Sequence, residues 1–265
     1  MAHVSSAAVT HTGLRREGNE DAFCERPDLG LYLVADGMGG HEAGEVASGL
    51  TVQVIESFIA DTRDADLNQT WPFPYITNLS LEGNRLTAAF RLANRRVASA
   101  ISSDAALKGM ATTAAAVLLG KSEAASSALT AHIAHVGDSR VYLFGDGALR
   151  QITQDHSWVT EQVRAGLLTD AEAHRHPWRN VVTRAISGGD DPEVEVAEVP
   201  LHRGDVVLIC SDGLSSVVTT EEIETILRNG MAGGELADVA GTLVQAANTG
   251  GGPDNITVIL VRIDD

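Results

Sequence analysis

Leu31-Tyr32-Leu33-Val34-Ala35-Asp36-Gly37-Met38-Gly39-Gly40 is an apolar run that stops at an aspartate and passes into glycines. The run has the length and composition of a buried β-strand. Asp36 then stands where the chain leaves the core. Glycines at 37, 39 and 40 permit tight turns and close approach by a ligand. Alone, the segment also fits an ordinary Asp-Gly turn. The pattern recurs, however. Ala131–Val136 leads through Gly137 to Asp138, Val206–Ser211 leads to Asp212-Gly213, and Gly251-Gly252-Pro253-Asp254-Asn255 precedes Ile256–Val261. If these strands share a core, four carboxylates gather at one end of it. Clustered carboxylates raise each other's pKa and call for a cation. A donor set of carboxylates, without cysteine or clustered histidine as ligands, suits Mg²⁺, Mn²⁺ or Ca²⁺.

The 265-residue chain is 44% hydrophobic, enough for a large core, and carries a formal charge of −17. That charge disfavours nucleic acid and anionic membrane surfaces as partners. Cys24 and Cys210 fit no zinc or redox spacing. No leader-like segment opens the chain and no run reaches the roughly 18 apolar residues of a spanning helix, so a cytoplasmic protein is expected.

Further along, residues 4–13 and the pair 22–26 and 31–35 read as strands. Ala43, Val46, Ala47, Leu50, Val54 and Phe58 recur at helical spacing, as do Leu86, Ala89, Phe90, Ala93, Val97 and Ile101. Between these helices, residues 61–83 carry Trp71-Pro72-Phe73-Pro74-Tyr75 and read as an insertion held down by its aromatics. Arg91, Arg95 and Arg96 read as a solvated helix side, and Lys121–Ser127 as a turn. Strands follow near 114–119, 128–136, 140–144 and 193–199. A charged helical stretch is expected from Gln154 to about residue 175, with His156 in a hydrogen-bonding role, and helices near 220–228 and 234–248. Hairpin-like strands with helices in pairs predict an α+β layered sandwich.

Taken together, the motifs resemble the metal-dependent serine/threonine protein phosphatases of type 2C, in their compact bacterial form. The matching residues are Arg16 with Asn19-Glu20-Asp21, Asp36-Gly37-Met38-Gly39-Gly40, Gly109-Met110-Ala111-Thr112-Thr113 and Val136-Gly137-Asp138-Ser139-Arg140. Asp155-His156-Ser157, Ser211-Asp212-Gly213-Leu214 and Gly252-Pro253-Asp254-Asn255 complete the set. The resemblance implies two stacked β-sheets flanked by pairs of antiparallel helices, a four-layer αββα sandwich. It implies one catalytic domain over 1–265, with a flap near 157–184. It also implies two tightly bound Mn²⁺ or Mg²⁺ ions about 3.5–4 Å apart. Asp36 would bridge them, Gly37 would offer its carbonyl to one, and Glu20 would hold that ion through water. Asp212 and Asp254 would bind the other ion, and Asp138 would share a third, looser one with Asp212. For Asp138 a turn carboxylate paired with Arg140 or capping backbone N–H groups is the alternative. Arg16 would clamp the substrate phosphate. A metal-bridging water would attack phosphoserine or phosphothreonine in phosphorylated proteins, among them Ser/Thr kinases, and so reverse kinase signalling.

Two positions depart from the family pattern. Met38 stands where some members carry a histidine, which leaves the general acid unassigned; nearby His41 reads as a helix-start residue. Ser187 is inserted before the glycine that ends the flap. Two other classes compete: an inactive phosphatase-like regulator and a calcium-stabilised binding sandwich. Arg16 and Asp36, both present, speak against the first; the second explains the aspartates but not Arg16, and secretion would be expected.

Overall fold

The computed structural model describes residues 3–39, 43–64, 72–121 and 129–264. Strands β1 (Val4–His11), β2 (Asp21–Arg26) and β3 (Leu31–Met38) lead into helices α1 (Ala43–Asp61) and α2 (Leu81–Ser103). Five strands follow: β4 (Ala111–Thr112), β5 (Ala114–Lys121), β6 (Leu129–Val136), β7 (Arg140–Gly145) and β8 (Ala148–Gln151). Short helices α3 (Trp158–Arg164) and α4 (Asp170–Arg175) precede β9 (Glu195–Leu201) and β10 (Val206–Cys210). The chain closes with α5 (Asp212–Ser215), α6 (Thr220–Gly230), α7 (Leu236–Thr249) and β11 (Ile256–Ile263).

Two antiparallel sheets result, ordered β1-β11-β10-β7-β8 and β2-β3-β5-β6-β9, with β4 paired to β3. The side-chain period of two explains the layering. From β3, Leu31, Leu33 and Ala35 face a core shared with Ile55, Leu86 and Phe90 of α1 and α2. Tyr32 and Val34 face the other way, into an inter-sheet core with Val141, Val207, Ile209 and Ile259. A third core packs α6 and α7 on the outer face of the first sheet through Ile223, Leu227, Leu243 and Leu260. The order is therefore helix, sheet, sheet, helix. Burial on both faces explains why β3 is continuously apolar rather than alternating.

Three local expectations change. The helical stretch 154–175 is two helices, because Gly166 at φ +71° ends the first and Thr169 starts the second with a capping box to Glu172. The helix at 84 begins three residues earlier, where the Ser80 hydroxyl accepts the Gly83 N–H. The face with Arg91 and Arg95 is not simply solvated: Phe73 is buried and the Arg95 guanidinium lies 4.1 Å from its ring centroid, a cation–π contact. Phe73 thus anchors the described part of segment 61–83, while Trp71 lies outside the described residues, as do Gly40, His41 and residues 122–128.

Candidate metal centre

Strand ends bring the acidic residues together. Asp36 lies near the end of β3, and Asp21, first in β2, is its direct cross-strand partner. Asp138 follows β6, Asp212 follows β10, and Asp254 precedes β11. The antiparallel order of both sheets turns these five termini toward one edge. Asp36 is partly buried, and loss of solvent around its carboxyl, together with Asp21, Asp212, Asp138 and Asp254, holds it well above the usual range. Burial first, then the charge of Asp212, pushes Asp138 up to about 7. Asp212 rises to about 6 through burial and Asp254. Glu20 is raised as well, by partial burial, with the nearby Arg16 opposing.

Asp21 is the member that sequence reading passed over. It stands in a polar run that also fits a solvated turn. In the structure its Oδ2 accepts hydrogen bonds from Thr257 Oγ1 at 2.6 Å and Ser211 Oγ at 2.8 Å. Burial nevertheless lifts its pKa to about 6. Its place beside Glu20 in the Asn19-Glu20-Asp21 run was the available signal.

The glycines and small polar residues fix the scaffold. A Cβ at Gly37 would sit 2.2 Å from the Gly44 carbonyl oxygen and 2.6 Å from that of Glu20, so no side chain fits. The Gly37 N–H donates to Glu20 O, and Ser48 Oγ donates to the same carbonyl. Thr112 Oγ1 and the Thr113 N–H both donate to Asp36 O. Asn255 Oδ1 accepts the Glu20 N–H, while its Nδ2 donates to Thr12 O and Gly18 O. Segments hundreds of residues apart are thereby tied to one edge.

Two sequence expectations take specific form here. Arg16 Nη2 lies 2.7 Å from Asp254 Oδ2, so the expected phosphate clamp is already oriented by one of the expected metal ligands. Arg140 forms a two-pronged pair with Asp155, Nε–Oδ1 2.9 Å and Nη2–Oδ2 2.7 Å. Among the described residues its ion-pair partner is Asp155 rather than Asp138.

The donor set is fitted to hard cations. All contributing side chains are carboxylates, and among the described residues Asp21 Oδ1 and Asp212 Oδ1 are buried without a hydrogen-bond partner. Unpaired buried anionic oxygens are costly, and an oxygen-seeking ion is the group that satisfies several at once. Both cysteines are buried, with thiols pushed up to about 12, so neither supplies a thiolate.

Comparison with known proteins agrees with this geometry. The family profile of protein phosphatase 2C matches residues 13–246. The serine/threonine phosphatase stp of Listeria monocytogenes is 36% identical over 261 residues, covering 96% of this chain and 94% of that protein. The serine/threonine protein phosphatase PstP of Mycobacterium tuberculosis is 36% identical over 260 residues, 98% of this chain but 45% of its own length. The crystal structure of the M. tuberculosis phosphatase PstP/Ppp superposes with a TM-score of 0.84 at 35% identity, covering 99% of each chain. A PstP catalytic domain in complex with two manganese ions gives a TM-score of 0.79 at 34% identity over 99% of each chain.

Proposed function

The chain belongs to the protein phosphatase 2C family and is a serine/threonine protein phosphatase acting on phosphorylated proteins; from that membership we propose a metal-assisted hydrolysis centred on Asp36. The observation that carries the proposal is the edge cluster of mutually repelling carboxylates with unpaired buried oxygens at Asp21 and Asp212. Asp36 and the Gly37 carbonyl, with Glu20 through water, would hold one Mn²⁺ or Mg²⁺. Asp36, Asp212 and Asp254 would hold a second, and Asp138 with Asp212 a third, looser one. Such ions, when bound, lower the pKa of water and stabilise charge on phosphoryl oxygens, so that water attacks phosphorus directly.

The remaining work falls to the chain itself. Arg16, about half exposed beside the cluster, presents a planar fork that matches two phosphate oxygens. Asp254 holds one of its nitrogens and thereby sets the direction of the fork. The Asp254 hydrogen bond raises the Arg16 pKa further, which keeps the guanidinium charged throughout. Thr112 and Thr113 hold the Asp36 backbone in place, and the Gly37–Gly44 approach leaves no space for it to shift. Thr257 and Ser211 hold one oxygen of Asp21, leaving the other buried without a hydrogen-bond partner.

We also propose that residues 1–265 form a single catalytic domain, with an insertion near 61–83 and a flap near 157–184. Among the described residues, no helix is long and apolar enough to cross a membrane. Ser/Thr kinases phosphorylated on their activation loops fit as substrates by family analogy. The test is phosphoserine and phosphothreonine peptide turnover during Mn²⁺ and Mg²⁺ titration after chelation. Turnover that requires added metal is expected. Full activity in the chelated protein would overturn the proposal.

A further inference from the structure

His156 and Gly137 hold each other through two hydrogen bonds. The His156 N–H donates to Gly137 O at 2.9 Å, and the Gly137 N–H donates to His156 Nδ1 at 3.0 Å. Gly137 lies between β6 and Asp138 at φ +108°, where a Cβ would also strike Thr113 at 2.4 Å. Both polar groups of this glycine are therefore committed to one histidine.

The pairing dictates where the imidazole proton sits. A backbone N–H can only donate, so Nδ1 must be bare and Nε2 must carry the hydrogen. Nε2 lies 2.9 Å from Glu195 Oε2, at the start of β9, which accepts that hydrogen. Arg184 Nη1, at 3.4 Å, can only donate and so does not compete for it. His135 stacks on the ring, with centroids 4.6 Å apart and planes 13° apart, and its own Nε2 lies 2.8 Å from Gln154 O. Burial holds both imidazoles below the usual histidine range, which favours the neutral ring.

The same residue closes the flap roots. His156 O accepts the Thr183 N–H at 2.8 Å, and the Trp158 N–H donates to Val181 O at 2.8 Å. Arg184, at the far root, pairs with Glu193 at 3.1 Å. Residue 156 thus meets the turn that carries Asp138 through its imidazole and the exit of segment 157–184 through its backbone carbonyl.

The geometry points to His156 as a positioning residue whose imidazole, set by Glu195 in its Nε2–H form, fixes the Asp138 turn, while its backbone carbonyl ties in the flap exit at Thr183. This rests on the reading of Asp138 as a metal ligand. A metal at His135, His156 and Glu195 is the rival, since their donor atoms lie within 4.8 Å of one another. It fails on protons: Nε2 could bind an ion only if its hydrogen were lost while Nδ1 stayed bare, which demands an imidazolate.

Two substitutions separate the nitrogens. In His156→Asn the amide oxygen stands near the Nδ1 position and can accept from Gly137. In His156→Gln the amide reaches the Nε2 position and leaves Gly137 unpaired. In metal-free protein the Gly137 amide should exchange about tenfold faster in His156→Gln, the factor a lost buried hydrogen bond carries. It should stay near the wild-type rate in His156→Asn. With Mn²⁺, His156→Gln should lower kcat about tenfold and raise the Mn²⁺ concentration needed for full activity, with KM for phosphopeptide little changed. His156→Asn should recover most of the loss.

Equal exchange in the two variants would overturn the inference, as would equal kcat in both. Zn²⁺ binding to wild type that is lost on His135→Ala would favour the rival and also overturn it. If neither variant folds, ¹⁵N shifts of His156 in wild type decide, and a protonated Nδ1 refutes the assignment. Wild type inactive with Mn²⁺ would refute the proposed function, whereas the exchange contrast would still judge His156 separately.

Discussion

Replacing Asp138 by asparagine should make the metal-free protein more stable and the enzyme slower. Asp138 is half-buried, and loss of solvent around its carboxyl together with the charge of Asp212 pushes its pKa up to about 7 from the 3.8 of a free aspartate. Below pH 4 the carboxyl is protonated whether folded or not and contributes nothing by ionisation. Between about 4 and 7 the folded chain keeps a proton that the unfolded chain releases. The sign follows: a pKa raised on folding favours the native state at low pH, and this advantage is lost as pH rises through about 7. At about 1.4 kcal/mol per pH unit, the span of about three units makes the loss on the order of 4 kcal/mol. Asparagine cannot ionise and escapes it. In chelator at pH 8, Asp138→Asn should therefore melt on the order of 10 °C above wild type, at the few degrees per kcal/mol typical of this size. At pH 4.5 the two should converge. With saturating Mn²⁺ the order should narrow or reverse, because ion binding favours the chain that keeps its ligand. Thermal and urea denaturation at both pH values, with and without Mn²⁺, make the measurement, and phosphopeptide turnover should fall in parallel. A variant no more stable than wild type at pH 8 in chelator, or a difference that ignores pH, would refute the repulsion argument.

Asp36→Asn should abolish turnover while leaving a folded protein, since its carboxyl lies within the electrostatic reach of Asp21, Asp212, Asp138 and Asp254; residual activity above about 1% in steady-state kinetics would count against its central role. Arg16→Ala should raise KM for phosphopeptide roughly tenfold. Calorimetry should show Mn²⁺ affinity changed only a few-fold, because its half-exposed pair with Asp254 contributes little by itself; loss of metal binding would reassign Arg16 to the metal site. Gly37→Ala should destabilise the fold by roughly 3 kcal/mol or more, since its Cβ meets two backbone oxygens inside 2.7 Å, and an unchanged melting temperature would contradict that contact. Met38→His should fold normally and alter the pH–rate profile, because imidazole exchanges protons near neutrality; an identical profile would remove position 38 from leaving-group chemistry.

Asp36, Asp138, Asp212 and Asp254 were legible in the sequence because each combines two local signals, an apolar run and a glycine or proline turn. An α+β layered sandwich was legible for a similar reason, since helix and strand periods are written within a dozen residues, whereas the αββα order came from the family resemblance. Met110-Ala111-Thr112-Thr113 could be recognised as a motif, yet that its threonines hold the Asp36 carbonyl emerged only from the pairing of β3 with β4 and β5. Asp21 read as part of a polar turn until its cross-strand register placed it opposite Asp36. Arg16 carries no mark of Asp254, which lies 238 positions away. His156 meets Gly137 and Glu195 from three separate segments, and its bare Nδ1 is dictated by one backbone N–H that no sequence pattern reveals. Residue type and period decide which elements form and where an acid leaves a strand, because those depend on neighbours along the chain. Which charges meet, which proton sits on which nitrogen, and which carboxyl is forced neutral depend on neighbours through space, and only the closed sandwich supplies them.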